Sequence, residues 1–114
     1  MLQTQQTSAV VLNNMTITRA NVIAQRTGSL EMGLAKAMLI EQLKAKLKTS
    51  VAHFIFQKKD GSLREMFATT NPALCNRHIN GRGVSRENYA TTAVFDCEKG
   101  EWRSFRWESI IKVF

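Results

Sequence analysis

Val51-Ala52-His53-Phe54-Ile55-Phe56-Gln57, then Lys59-Asp60-Gly61-Ser62, then Leu63-Arg64-Glu65-Met66-Phe67-Ala68-Thr69 is the stretch that decides the fold class. Its first part is rich in β-branched and aromatic residues, which suit a pleated, half-buried strand. Lys59-Asp60-Gly61-Ser62 supplies a tight turn, because Gly61 can adopt positive φ without a steric cost. The third part returns with similar character, so the three together predict a β-hairpin. Further strands follow: Tyr89 to Asp96, a turn at Glu98-Lys99-Gly100, Glu101 to Arg106, and a last apolar run Ile110-Ile111-Lys112-Val113-Phe114. Five short antiparallel strands remove most exposed edges by curling into a partly open barrel.

Upstream of the hairpin the hydrophobic period is helical. Thr18 is placed to cap a short helix over Arg19 to Arg26 that ends at Gly28, and Ser29 caps a second helix from Leu30 to Lys48. Met32, Ala35, Leu39, Leu43 and Leu47, with Ile40 beside them, form a stripe suited to a core or a dimer seam. Leu30, Leu34, Ala37 and Met38 add apolar surface, which predicts that the amino-terminal half of this helix is the more deeply buried. Lys36 falls within the stripe and must carry its ammonium out to water. Lys44, Lys46 and Lys48 complement the helix dipole and read as a solvated face. The expected organisation is α+β: a loose arm over 1–15, a helical lead-in over 16–49, and a five-stranded antiparallel barrel over 50–114, in one compact domain.

At 114 residues, 44% hydrophobic and 22% charged, the chain has the size and composition of one folded domain. No apolar run approaches a membrane span, and the first residues lack the basic start and long apolar segment of a signal peptide. The expected location is the cytoplasm of a bacterial cell or phage-infected host, where two cysteines stay reduced. The formal net charge is +7, divided as +4 up to Ser50 and +3 beyond it. Such a surplus favours polyanionic partners, nucleic acid above all. Lysines dominate the first part, whereas all six of Arg64, Arg77, Arg82, Arg86, Arg103 and Arg106 lie in the second. Arginine's planar fork suits phosphates and base edges better than an ammonium does.

The candidate nucleic-acid residues follow. Arg77, Arg82 and Arg86 stand among glycines in the long polar connection from Cys75 to Asn88, a pattern able to follow a phosphate backbone. Arg64, Arg103 or Arg106, with Tyr89, Trp102 or Trp107 nearby, suits a stacking and phosphate-binding patch for single strands. Arg103 and Arg106 are three apart on a strand, so they leave opposite sheet faces, and either one is equally suited to a plain ion pair with Glu65, Asp96, Glu101 or Glu108. Cys75 and His78 have a usable local spacing, but a zinc site would need Cys97 and His53 to converge on them, so no metal is expected. No nucleophile triad, phosphate-binding glycine loop or metalloprotease signature is present, so no catalytic residue, cofactor or enzymatic activity is expected.

The run Asp96-Cys97-Glu98-Lys99-Gly100-Glu101-Trp102-Arg103-Ser104-Phe105-Arg106, preceded by Lys58-Lys59-Asp60-Gly61-Ser62-Leu63-Arg64 and Thr69-Thr70-Asn71, resembles the small WYL-like domains with an Sm-like, SH3-type β-barrel. These are short proteins of Bacteroidetes and their phages, mostly of unknown function. The resemblance covers about residues 50–114, with a family-typical helical lead-in over 19–48. Arg103-Ser104-Phe105-Arg106 is similar to the arginine-x-phenylalanine-arginine core on a late barrel strand of larger WYL regulators, where it is implicated in binding nucleic acid or nucleotide-like ligands. The Trp-Tyr-Leu tripeptide of those regulators is absent, and Ser109 stands where they often carry another arginine. The resemblance and the charge together imply a basic, nucleic-acid-binding accessory or regulatory factor of phage or mobile-element origin. The alternatives are an assembly module, self-associating through the helix stripe or docking a host or virion protein, and a barrel sensing a nucleotide-like ligand.

Overall fold

The computed structural model describes residues 14–75 and 90–114. The Asn76-to-Asn88 part of the long connection and residues 1–13 of the expected arm lie outside them. Two helices, α1 (Asn14–Thr27) and α2 (Leu30–Thr49), precede the hairpin strands β1 (Ala52–Gln57) and β2 (Leu63–Thr69). A short helical turn, α3 (Pro72–Cys75), follows, then β3 (Thr91–Asp96), β4 (Glu101–Arg106), a 3-10 turn (Trp107–Ser109) and β5 (Ile110–Val113). The expected hairpin, its turn and the three later strands are all present.

The helices differ from expectation in two respects. First, α1 begins at Asn14, and the Thr18 hydroxyl donates to the Asn14 carbonyl oxygen at 2.9 Å inside its first turn rather than capping the helix. Gly28, at φ +75°, ends it, and Ser29 caps α2 by accepting from the Met32 amide at 3.1 Å. Second, the buried stripe of α2 is Gly33, Ala37, Ile40, Leu43 and Leu47, while Leu30, Met32, Leu34 and Met38 are exposed. The amino-terminal half is therefore not the more buried one. The reason is steric. A Cβ on Gly33 would lie 2.3 Å from the Ala20 carbonyl oxygen and 3.0 Å from the Ala24 nitrogen, so α1 approaches α2 where the side chains are smallest and turns the large ones outward. Ile40, Leu43 and Leu47 belong to the core, which removes them from any dimer seam.

The sheet is antiparallel throughout, in the order β4-β3-β2-β1-β5. Alternation along each strand places Ala52, Phe54, Met66, Ala68, Val94 and Phe105 on one face, where they meet Ile23 and Ile40 of the helices and Trp107 and Ile110 from the chain's last segment. Two strands separate β1 from β4, yet the Phe105 ring lies 5.5 Å from that of Phe54 and 5.6 Å from that of Phe56. The sheet is thus curled upon itself, and β4 and β5 remain its two unpaired edges. Closure into a full barrel is not reached, in line with the expected partly open form.

Asp96 sits at the end of β3 on the inner face, 1% exposed. Its Oδ1 accepts from the Glu98 and Lys99 amides at 2.9 and 3.0 Å, which shapes the β3–β4 turn, where Gly100 adopts φ +69°. Its Oδ2 accepts from Arg64 Nη2 of β2 at 3.1 Å and Arg103 Nε of β4 at 3.2 Å. Burial pushes this carboxyl up, but the two turn amides and two guanidinium groups outweigh it and hold it below the ordinary value of 3.8.

Two outcomes are expected. Gly33→Ala should lower stability, because overpacking of about 1–3 kcal/mol exceeds the gain of up to about 1 kcal/mol in helix propensity. A raised melting temperature would contradict the close helix approach. Because the folded carboxyl of Asp96 titrates below its unfolded value, its contribution is fully present above about pH 4 and is lost as pH falls through the folded value. Asp96→Asn should therefore cost about 3 kcal/mol at pH 7 and give a shallower acid limb in urea denaturation. An acid limb as steep as the parent's would sink this assignment.

Candidate functional site

Of the expected nucleic-acid residues, Arg77, Arg82, Arg86 and Tyr89 lie outside the described residues. The structure separates the remaining four. Arg64 and Arg103 converge on Asp96, and Arg103 Nη2 also reaches Glu101 at 2.9 Å, so both arginines act as ties between strands rather than as open phosphate contacts. Trp102 and Arg106 are on the opposite, outer face of β4, with Ser104 between them. The indole of Trp102 is 43% exposed and meets Phe95 edge-on at 5.8 Å. Arg106 is exposed, with Nη1 3.9 Å from Glu108. Trp107 is buried in the core beneath the Arg19 guanidinium, 5.7 Å from its ring centre, and takes no part in a surface patch. The Arg103–Arg106 separation across the sheet is as the spacing predicts.

Arg106 belongs to a different group. The curl of the sheet leaves a cleft of about 580 Å³ between the end of β1 and the end of β4. Phe56 and Phe105 form its apolar wall, and Gln57, Ser104 and Ser109 bring polar side chains to it. Three cations line it: Arg106, Lys58 and Lys59. The two lysines are fixed by the β1–β2 turn, where Lys58 donates its amide to the Ser62 carbonyl at 2.8 Å and Gly61, at φ +90°, donates back to the Lys58 carbonyl at 2.9 Å. Asp60 Oδ1 accepts from the Ser62 amide at 2.9 Å and the Ser62 hydroxyl at 2.6 Å. Those bonds hold the Asp60 carboxyl below its ordinary value and orient it within the turn.

One acid, Glu108, also lines the cleft, and the helices attend to it. Arg26 of α1 reaches its carboxylate at 2.7 Å, and Lys36 of α2 donates to its backbone carbonyl at 2.8 Å. Burial lowers the Lys36 pKa, and the nearby Glu108 charge partly restores it. The ammonium expected to reach water is instead a link between α2 and the 3-10 turn. Among the described residues, the cleft therefore presents three cations and one acid, and that acid is already paired with Arg26. Sequence reading passed over Lys58 and Lys59 as turn residues. Their signal was adjacency: two consecutive cations at the tip of a hairpin leave the sheet together.

His53 Nε2 is bonded to the Glu65 carboxylate. Among the described residues no group of three or more His, Cys, Asp or Glu is arranged to hold one. Also among the described residues, no helix is long and apolar enough to cross a membrane. The Cys97 thiol is exposed, and Lys46 departs from the solvated role expected of it by donating to the Phe114 carbonyl.

Over 81 residues the chain is 32% identical to the "Uncharacterized 11.5 kDa protein in Gp31-cd intergenic region" of Enterobacteria phage T4, spanning 68% of this chain and 79% of that protein. No solved structure matches it. Residues 40–111, from the core half of α2 to the last strand, match the family described as WYL_2, Sm-like SH3 beta-barrel fold. With helices leading into a curled antiparallel sheet of five strands, and that match over most of its length, the chain belongs to the WYL_2 family of Sm-like SH3 β-barrels.

Proposed function

We propose that this protein is a nucleic-acid-binding accessory factor of phage type that acts by binding and not by catalysis. The observation that carries the reading is the cleft at the open side of the sheet, where Lys58, Lys59 and Arg106 face solvent and the one acid, Glu108, is held by Arg26. Cations gathered at a concave mouth attract a phosphate backbone and release its counterions, so affinity should fall steeply with salt. The phage relative places a similar chain among phage proteins and is compatible with this role. Arg82 and Arg86, outside the described residues, enter as further phosphate contacts.

Fluorescence polarisation with labelled single- and double-stranded oligonucleotides at several salt concentrations tests this. Lys58→Gln, Lys59→Gln and Arg106→Gln should each weaken binding and reduce the salt slope by about one. Arg82→Ala and Arg86→Ala should act in the same direction if the connection lies on the path. Absence of binding to DNA or RNA at low salt would overturn the proposal.

A second reading, docking of a protein partner or a second copy, is favoured by one observation: Leu30, Leu34 and Met38 recur one turn apart on α2 and are all exposed, Leu30 by 63%. Static light scattering checks the self-association form. A mass that rises with concentration and returns to the monomer value in Leu34→Lys would support it, and a constant monomer mass would remove it.

A further inference from the structure

We infer that the outer face of β1, β2 and β5 carries a base-stacking platform, built on Phe114, that selects single-stranded nucleic acid. This rests on the nucleic-acid reading above and adds which form of nucleic acid is taken. Three rings from three strands form a ladder there. Phe67 stacks on His53 with centroids 4.2 Å apart, and His53 stacks on Phe114 at 4.0 Å, each pair tilted by 13°. The ladder is positioned by backbone and charge: His53 is opposite Phe67 in the hairpin register, its Nε2 is bonded to Glu65, and its carbonyl accepts from the Phe114 amide at 3.0 Å.

Stacked aromatics in a core are ordinary, but these are at the surface, with Phe114 45% exposed and Phe67 36% exposed. The ladder ends at β5, an edge strand, so among the described residues no further strand covers the ring at that end. Two cations are gathered at it. Lys112 Nζ lies over the Phe114 ring, 4.5 Å from its centre, and Lys46 of α2 holds the Phe114 carbonyl. A ring that holds an exposed, flexible ammonium matches a nucleotide, whose base takes the place of Lys112 on the ring while its phosphate pairs with the displaced ammonium.

The platform is also in line with the cationic cleft. Ser109 lines the cleft, and the chain runs from there along β5 through Lys112 to Phe114, one residue past the strand, with Lys112 paired to Ile55 of β1. Five residue steps of strand span roughly 17 Å, so a short strand of nucleic acid can place a base on Phe114 and phosphates at Lys112 and at the cleft. A duplex keeps its bases stacked inside and offers the platform nothing.

The test uses the intact chain and three labelled probes: a dT12 oligonucleotide, an abasic strand of equal length, and a 12-base-pair duplex. Unaltered protein should bind dT12 about tenfold more tightly than the abasic strand at one salt concentration. Phe114→Leu, which keeps the apolar volume and removes the π face, should weaken dT12 binding about tenfold while leaving abasic and duplex affinities and the salt slope unchanged. Equal affinity for dT12 and the abasic strand overturns the platform while the cationic reading stands, and needs no variant that might unfold. Equal losses on all three probes in Phe114→Leu do the same. Failure of all three probes to bind overturns both readings.

Discussion

A buried carboxylate governs how this small sheet distributes its positive charge. Placing Asp96 on the inner face of β3 is unfavourable unless every oxygen lone pair finds a donor and the charge finds a counter-ion. Two amides of the β3–β4 turn satisfy one oxygen, and guanidinium groups from β2 and β4 satisfy the other. That arrangement fixes the turn and ties three neighbouring strands at one end. It also commits Arg64 and Arg103 to structure. Since Arg106 is three residues beyond Arg103, alternation sends it to the other face, and it becomes the β4 arginine left at the surface.

The opposite end of the sheet is governed by the helices. Because Gly33 and Ala37 let α1 approach closely, α1 brings Arg19 over the Trp107 ring and Arg26 onto Glu108, while α2 brings Lys36 to the Glu108 carbonyl. These contacts anchor the 3-10 turn that carries the chain from β4 to β5. The turn forms one wall of the cleft, so the small residues of a helix contact set the shape of a surface formed by the sheet. Arg19 shows the same economy: nearly buried, it pairs with Glu41 and caps an aromatic ring at once.

What was legible in the sequence was local. The hairpin could be read because strand alternation and the Asp60-Gly61 turn are signals within twenty residues, and its register follows from the turn, so the facing of His53 and Phe67 was implicit in it. The helix stripe was misjudged because apolar periodicity weights large side chains, whereas the contact between α1 and α2 is made by small ones. The parity of Arg103 and Arg106 was readable. The partner of Arg64 was not, since Asp96 lies 32 residues away and meets it only through the pairing of β2 with β3. Phe114 joins His53 through a β1–β5 pairing whose register shifts between Ile55 and Phe56, a bulge that nothing in the local pattern announces.

Net charge alone therefore misstates where the exposed positive charge of this protein lies. Arg19, Arg26, Arg64 and Arg103 each face a carboxylate inside or beside the fold, and their charge is largely neutralised at short range. Lys58, Lys59, Arg106 and Lys112 are exposed; the first three line the cleft on the open side of the sheet, and Lys112 stands on the β5 edge strand. A fully closed barrel would pair β4 with β5 and seal that side. The incomplete closure is what leaves the cleft open, so on the proposed reading the open seam of the sheet, rather than the arginine count, decides where a phosphate backbone docks.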